Sequence, residues 1–89
     1  MKAVITVTGK DSVGIIAKVS ALCAEKGANI TEITQSVLSE YFAMIMLVEI
    51  NTLSVPFAEF ADMLTALGKE NLLDIRAMHE DIFNSMHHV

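Results

Sequence analysis

The stretch "GKDSVGIIAKVSALCAEKGANI", residues 9–30, decides how this chain folds. From Val13 to Lys26 the apolar residues Ile15, Ile16, Val19, Leu22 and Cys23 recur at intervals of three and four, which gathers them on one side of a helix. Lys18, Glu25 and Lys26 fall elsewhere on the same helix. Asp11 or Ser12 can cap the amides at its start, and Gly27 suits the left-handed position just beyond its end. A helix over 13–26 is therefore bounded by a capping residue at its start and by glycine at its end.

On either side the period is two. In "KAVITVT" (2–8), Ala3, Ile5 and Val7 point one way and Lys2, Val4, Thr6 and Thr8 the other, which reads as a strand ended by Gly9. After Gly27, "ANITEITQSVL" (28–38) is again extended, with Ile33, Gln35 and Val37 opposite Glu32, Thr34 and Ser36. "YFAMIMLVEI" (41–50) is apolar on both faces over most of its length, so it belongs in the middle of a sheet, and Ser39 and Glu40 join it to the preceding strand as a tight hairpin. "SVPFAEFADMLTALGKE" (54–70) predicts a second helix, with Ser54 as cap, Pro56 in the first turn, Phe57, Phe60, Ala61, Leu64 and Leu67 inward, and Gly68 at its end. "LLDIRAM" (72–78) predicts a fourth strand, and "HEDIFNSMHHV" (79–89) a short helix docked through Ile82, Phe83 and Met86.

The order is βαββαβ. Two helices on one face of a four-stranded antiparallel sheet make an α+β, ferredoxin-like sandwich, expected as one domain over residues 1–89. A chain of 89 residues buries only about 60% or slightly more of its unfolded surface. Yet 53% of its residues are hydrophobic and its mean hydropathy is positive, more apolar material than a small monomer readily hides, which points to a second copy. Eleven acids against six bases give a formal charge of −5, the wrong sign for a nucleic-acid backbone or an anionic membrane. A reader of RNA on this fold would also need exposed rings on the first and third strands, where only Tyr41 and Phe42 stand. No apolar run approaches about 18 residues. Cys23 is alone, and the opening residues lack the pattern of a signal peptide, so the expected compartment is the cytoplasm.

The fold hosts many functions, so the loop over 9–14 must discriminate. Gly9 and Gly14 have the glycine spacing of a phosphate loop, but Ile15 and Ile16 stand where lysine and serine or threonine are needed. Acylphosphatase chemistry requires an arginine at the loop, and the chain's single arginine, Arg76, belongs to the last strand. A soft-metal carrier would need two cysteines in the loop, which has none; His79, His87 and His88 with Glu80 and Asp81 gather near the other end of the sequence and read as a solvated tail. Cys23 has no histidine near it in sequence, and no nucleophile with its base is recognisable. No catalysis, cofactor or metal is expected.

A small-molecule site fits better. Gly14 allows a tight turn into the helix or the approach of a ligand to the backbone. The amides of Val13, Gly14 and Ile15 would face an anion at the helix start, favouring a carboxylate, while Asp11 could accept from an ammonium group. Asn29 offers both a donor and an acceptor. Each has a plainer reading as well: Asp11 or Ser12 as helix cap, Gly14 as a packing glycine, Asn29 as a turn residue, Lys10 as a solvated loop charge.

Residues 9–30 resemble the opening of an ACT domain: a strand, a loop of the type G-x-D-x-x-G, a helix, then G-x-N-I into the second strand. "MKAVITVTGKDSVGI", "NITEITQSVLSEYFAMIMLV" and "IFNSM" extend the likeness along the whole chain, to the small stand-alone ACT proteins of the UPF0237 type. The resemblance implies a dimeric regulatory module, with a ligand such as an amino acid held by Asp11, Ser12, Val13, Gly14 and Ile15 of one subunit and Asn29 and Ile30 of its neighbour, acting on a partner protein. Many ACT domains have D-R-P-G in the loop where this chain has D-S-V-G. That removes a preset backbone angle but not the backbone donors. Some ACT domains bind nothing and only dimerise, which makes a pure assembly module the alternative.

Overall fold

Alternation builds the sheet. In the strand Tyr41–Glu49, the residues Phe42, Met44, Met46 and Val48 are buried, while Tyr41, Ala43 and Ile45 between them are exposed. The same inward row continues as Ala3, Ile5 and Val7 on the first strand and Ile75 on the last. The computed structural model describes residues 1–10 and 13–86. In chain order its elements are β1 (Lys2–Gly9), α1 (Ile15–Lys26), β2 (Asn29–Leu38), β3 (Tyr41–Glu49), α2 (Phe57–Glu70), β4 (Asp74–His79) and α3 (Glu80–Met86). The strands lie in the order β2-β3-β1-β4, every neighbouring pair antiparallel, so the doubly apolar run 41–49 is interior as expected. Register places Ile5 beside Met46 and Ala77, and Val7 beside Met44 and Ile75.

The inward row is covered by Ile15, Val19 and Cys23 of α1 and by Phe60 and Leu64 of α2. These are the positions the three-and-four spacing selects, and the fold is the ferredoxin-like βαββαβ sandwich with α3 appended. Burying each of these large side chains contributes roughly 1.5–3 kcal/mol. α1 starts at Ile15 rather than Val13, and Gly27 closes it at a left-handed φ of 84°.

Three expectations need correction. Ser54 does not cap α2; its amide (2.7 Å) and hydroxyl (3.1 Å) both donate to the Lys26 carbonyl. With Thr52, whose hydroxyl donates to the Gly27 carbonyl at 2.8 Å, it satisfies the carbonyls left open where α1 ends, a competing demand of the same strength as capping. Gly68 does not end α2, which runs on to Glu70 and closes on Asn71. Ile82 and Met86 do not dock but stay exposed, leaving Phe83 as the half-buried residue of the three.

Gly68 is instead a packing glycine. A Cβ there would stand 2.7 Å from the Leu73 carbonyl oxygen and 3.0 Å from Ile75 Cγ1, because β4 crosses directly beneath α2. Alanine is the better helix former by about 1 kcal/mol, but overpacking against backbone costs about 1–3 kcal/mol. Gly68→Ala is therefore expected to lower stability, seen as a fall in the urea midpoint. An unchanged or raised midpoint would show that the crossing relaxes at no cost.

Candidate functional site

β1 and β2 are both antiparallel to β3 and hence parallel to each other. Gly9 pairs with Phe42, while Asn29 pairs with Glu49 at the opposite end of the same strand. The loop after β1 and the start of β2 thus lie at opposite ends of the sheet, separated by α1. Twelve helical residues span about 18 Å. Of the expected site residues, Val13, Gly14 and Ile15 are brought together at the start of α1, and Asn29 and Ile30 sit at the far end. Asp11 and Ser12 lie outside the described residues.

At the near end, Gly14 has φ 75° and ψ −2°, a left-handed conformation. None of the described residues stands within 4 Å of where its Cβ would be, and the positive φ is what favours glycine there. Its carbonyl accepts from the Lys18 amide at 3.1 Å, the first bond of the helix. The amides of Ile15, Ile16 and Ala17 consequently have no acceptor inside α1. The first turn of α1 carries no acidic side chain, so the helix does not neutralise its own positive end. Val13 is exposed, whereas Ile15 is anchored in the core and fixes the turn above it. Lys10 is a largely exposed loop charge, as expected, with its Nζ 3.7 Å from the equally exposed Glu40 and 5.7 Å from the centre of the Tyr41 ring on the β2–β3 hairpin.

At the far end Asn29 is exposed and Ile30 is half-buried beside Val48. The pairing shifts by one residue between Ile30 and Glu32, and Thr31 bonds through its hydroxyl to the Leu47 carbonyl at 3.1 Å. This bulge keeps both Ile30 and Ile33 on the inward side. Its signal in sequence is the pair of polar residues Thr31 and Glu32 between Ile30 and Ile33, an interval of three where a regular strand needs two.

Between these ends runs an uncovered border. β2 is an outer strand, and Ile33 and Val37, on the side that faces the helix layer, remain exposed because α1 does not reach over them. α1 turns Lys18, Ala21, Leu22 and Glu25 toward a cleft shared with α2. Its opposite flank, toward β2, carries Ile16, Ser20 and Ala24, residues small enough on the whole to let another backbone come near. An outer strand with unpaired amides and carbonyls is itself a template for a further strand.

The other candidate chemistry is not assembled. Cys23 is fully buried, and burial pushes its thiol up to about 11. His79 stacks on Phe57 with ring centres 4.3 Å apart, and its Nδ1 has no partner among the described residues. His87 and His88 lie outside them. Among the described residues no three His, Cys, Asp or Glu side chains are placed to share a metal ion, and no helix is long and apolar enough to cross a membrane.

Comparison with known proteins adds to this geometry. The family model of the ACT domain matches residues 2–78. A UPF0237 protein of Clostridium perfringens is 45% identical over the full length of both chains. The solved structure of an ACT domain protein from Streptococcus pneumoniae is 41% identical and superposes with a TM-score of 0.81 over 93% of each chain. A formyltetrahydrofolate deformylase from Pseudomonas syringae pv. tomato, 28% identical, superposes with a TM-score of 0.77 over 88% of this chain but only 27% of its own.

The buried thiol gives a pH dependence of defined sign. Below about pH 9 the Cys23 thiol is protonated in folded and unfolded chains alike and has no effect on stability. Between the ordinary value of 9.0 and about 11 only the unfolded chain ionises, so stability falls as pH rises. The loss approaches roughly 2–3 kcal/mol when that interval is crossed. Urea midpoints at increasing pH should decline more steeply for the native sequence than for Cys23→Ala, and equal slopes would show that the thiol is accessible in the fold.

Proposed function

The chain belongs to the ACT domain family, a family of regulatory modules, and from that premise we propose that it is a stand-alone module that dimerises, binds a small ligand such as an amino acid at the subunit interface, and regulates a partner protein. The observation that carries this reading is the separation of the two half-sites by the length of α1. A two-fold axis beside α1 and β2 sets a second α1 antiparallel to the first. The neighbour's Asn29 and Ile30 then arrive at the Gly14 end, and the reverse holds at the other end, giving two equivalent sites. The same axis pairs β2 with its counterpart, covers Ile33 and Val37, and brings the Ser20 and Ala24 flanks together.

The chemistry of the ligand follows from the donors. Helix-start amides at Gly14 and Ile15, beside Val13, receive a carboxylate; Asp11 and Ser12 with the Asn29 amide group receive an ammonium. An α-amino acid presents both groups on one carbon. Regulation requires that the ligand favour one arrangement of the two subunits over another, which a site divided between them provides. The module carries no reaction of its own, and its output passes to another protein. The presence of the same fold as a minor part of a deformylase supports a role beside, rather than in, catalysis.

The second reading, an assembly module with an empty loop, draws on Val13 standing where many relatives of the fold carry proline, which leaves the loop angle unset. Equilibrium dialysis of the purified protein against the twenty amino acids separates the two. Retention of at least one at millimolar concentration is expected, and retention of none removes the ligand from the proposal. Gly14→Asn completes the test, because asparagine tolerates the left-handed conformation and its side chain projects into the open space at the loop. It should preserve melting temperature and dimer mass while weakening ligand retention by tenfold or more; undiminished retention would place the ligand elsewhere. Ile33→Glu is expected to break the edge-to-edge dimer in a sedimentation experiment.

A further inference from the structure

The loop that leads into α1 is held on both sides by one turn, residues 71–73. Register brings the turn there: Thr8 pairs with Asp74, so the residues just before β4 stand beside the end of β1. Leu73, which is buried in the core, occupies the room that a side chain on Gly9 would need, and a Cβ there would collide with Leu73 Cδ2. Gly9 is not left-handed, so room and not backbone angle favours glycine at the point where the loop begins. Beyond the loop, the Lys18 amide bonds the Gly14 carbonyl. Helical side chains lean toward the start of their helix, so Lys18 reaches back over the first turn of α1. Its ammonium donates to Asn71 Oδ1 at 2.7 Å.

The turn is itself firmly closed. The amides of Asn71 and Leu73 both donate to the Gly68 carbonyl, at 3.0 and 2.8 Å, and the Leu72 amide donates to the Lys69 carbonyl at 3.3 Å. Leu72 takes the left-handed conformation, φ 57°, that this kind of helix ending requires. The Asn71 side chain is oriented as well. Its Nδ2 donates to the Leu67 carbonyl at 2.8 Å, which leaves Oδ1 to accept from Lys18. An aspartate could accept from Lys18 but could not donate to Leu67.

We propose that Asn71 and Leu73 are positioning residues for the ligand loop. Leu73 fixes where the loop leaves β1, and Asn71, acting through Lys18, fixes the first turn of α1 against it. The unsatisfied amides of Ile15, Ile16 and Ala17 are then aimed before a ligand arrives, which lowers the cost of ordering on binding. The inference rests on the ligand site proposed above, and its test includes a readout that needs no ligand. Because the Lys18–Asn71 bond is exposed, its removal separates position from global stability.

Amide exchange at Lys18, whose acceptor is the Gly14 carbonyl, reports how well the loop is ordered. It is measured with amino-acid retention in equilibrium dialysis and with melting temperature, on the native chain, Lys18→Met, Asn71→Ala and the two combined. Each single substitution should speed exchange and weaken retention by about threefold or more, and the combined variant should do no worse than either, because both remove one bond. Lys18→Met should leave the melting temperature unchanged. A loss with Lys18→Met alone would show that the ammonium acts by its charge, and effects that add would show two separate causes; both overturn the role of Asn71. Gly9→Ala should also speed exchange. Leu73→Val, which removes the colliding methyl, should restore the native rate in the double variant while its melting temperature stays low, and failure of that rescue removes Leu73 from the proposal. A native chain that retains no amino acid, with exchange behaving as described, defeats the ligand reading and leaves the positioning of the loop standing. Native exchange rates in every variant overturn the positioning, whatever is retained.

Discussion

The structure rests on one constraint: a four-stranded sheet whose strands alternate strictly, sealed on a single side. Phe42, Met44, Met46 and Val48 of β3, with Ala3, Ile5 and Val7 of β1, meet two helices and lose their water. The opposite row has no comparable partner among the described residues except where α3 lies against β1 and β4 near Val4 and Met78. Ile33 and Val37 at the border are exposed because the helix layer is narrower than the sheet it covers, and Leu38, Tyr41 and Ile45 because they stand on the face away from that layer. The unusual apolar content of so short a chain has the same origin.

Much of this was legible in the residues themselves. The change from a period of two to three-and-four and back, within residues 9–30, specified β1, α1 and β2, and the doubly apolar run 41–49 declared itself interior. What failed did so where two local demands competed. Ser54 is a good cap in isolation, but the open Lys26 carbonyl lies closer to its needs, and only the tertiary fold reveals that neighbour. Gly68 looked like a stop because glycine usually is one; here it clears a path for β4, a long-range contact that no window of adjacent residues contains. Of the three residues expected to dock from the last segment, Phe83 turns inward, while Ile82 and Met86, one helical turn apart, share the side of the short helix left to solvent.

The site shows a different limit. The residues offered two kinds of group, helix-start amides at one point and a bifunctional amide side chain at another, and only the resemblance divided them between subunits; that one chain holds Gly14 and Asn29 apart is visible in the strand pairing and not in either stretch of sequence. That follows from the parallel relation of β1 and β2, both fixed by pairing with β3. The open space at Gly14 likewise appears only in three dimensions, and it separates a glycine kept for backbone angle from the glycine at position 68 that is kept for room.

The length of α1 now takes on a further meaning. Because β1 departs from one end and β2 returns at the other, the helix acts as a spacer whose turns determine how far the two termini of the loop system stand apart. An insertion or deletion within it would rotate Ile15, Val19 and Cys23 out of phase unless it came in whole turns, and each whole turn would change the interval between Gly14 and Asn29 by about 5.4 Å while β1 and β2 stay fixed by their pairing with β3. Chemistry at either tip is free to diverge by substitution. The span between them is locked to the sheet, so diversification in such a scaffold proceeds by exchanging residues at the ends and never by resizing the rod that holds them.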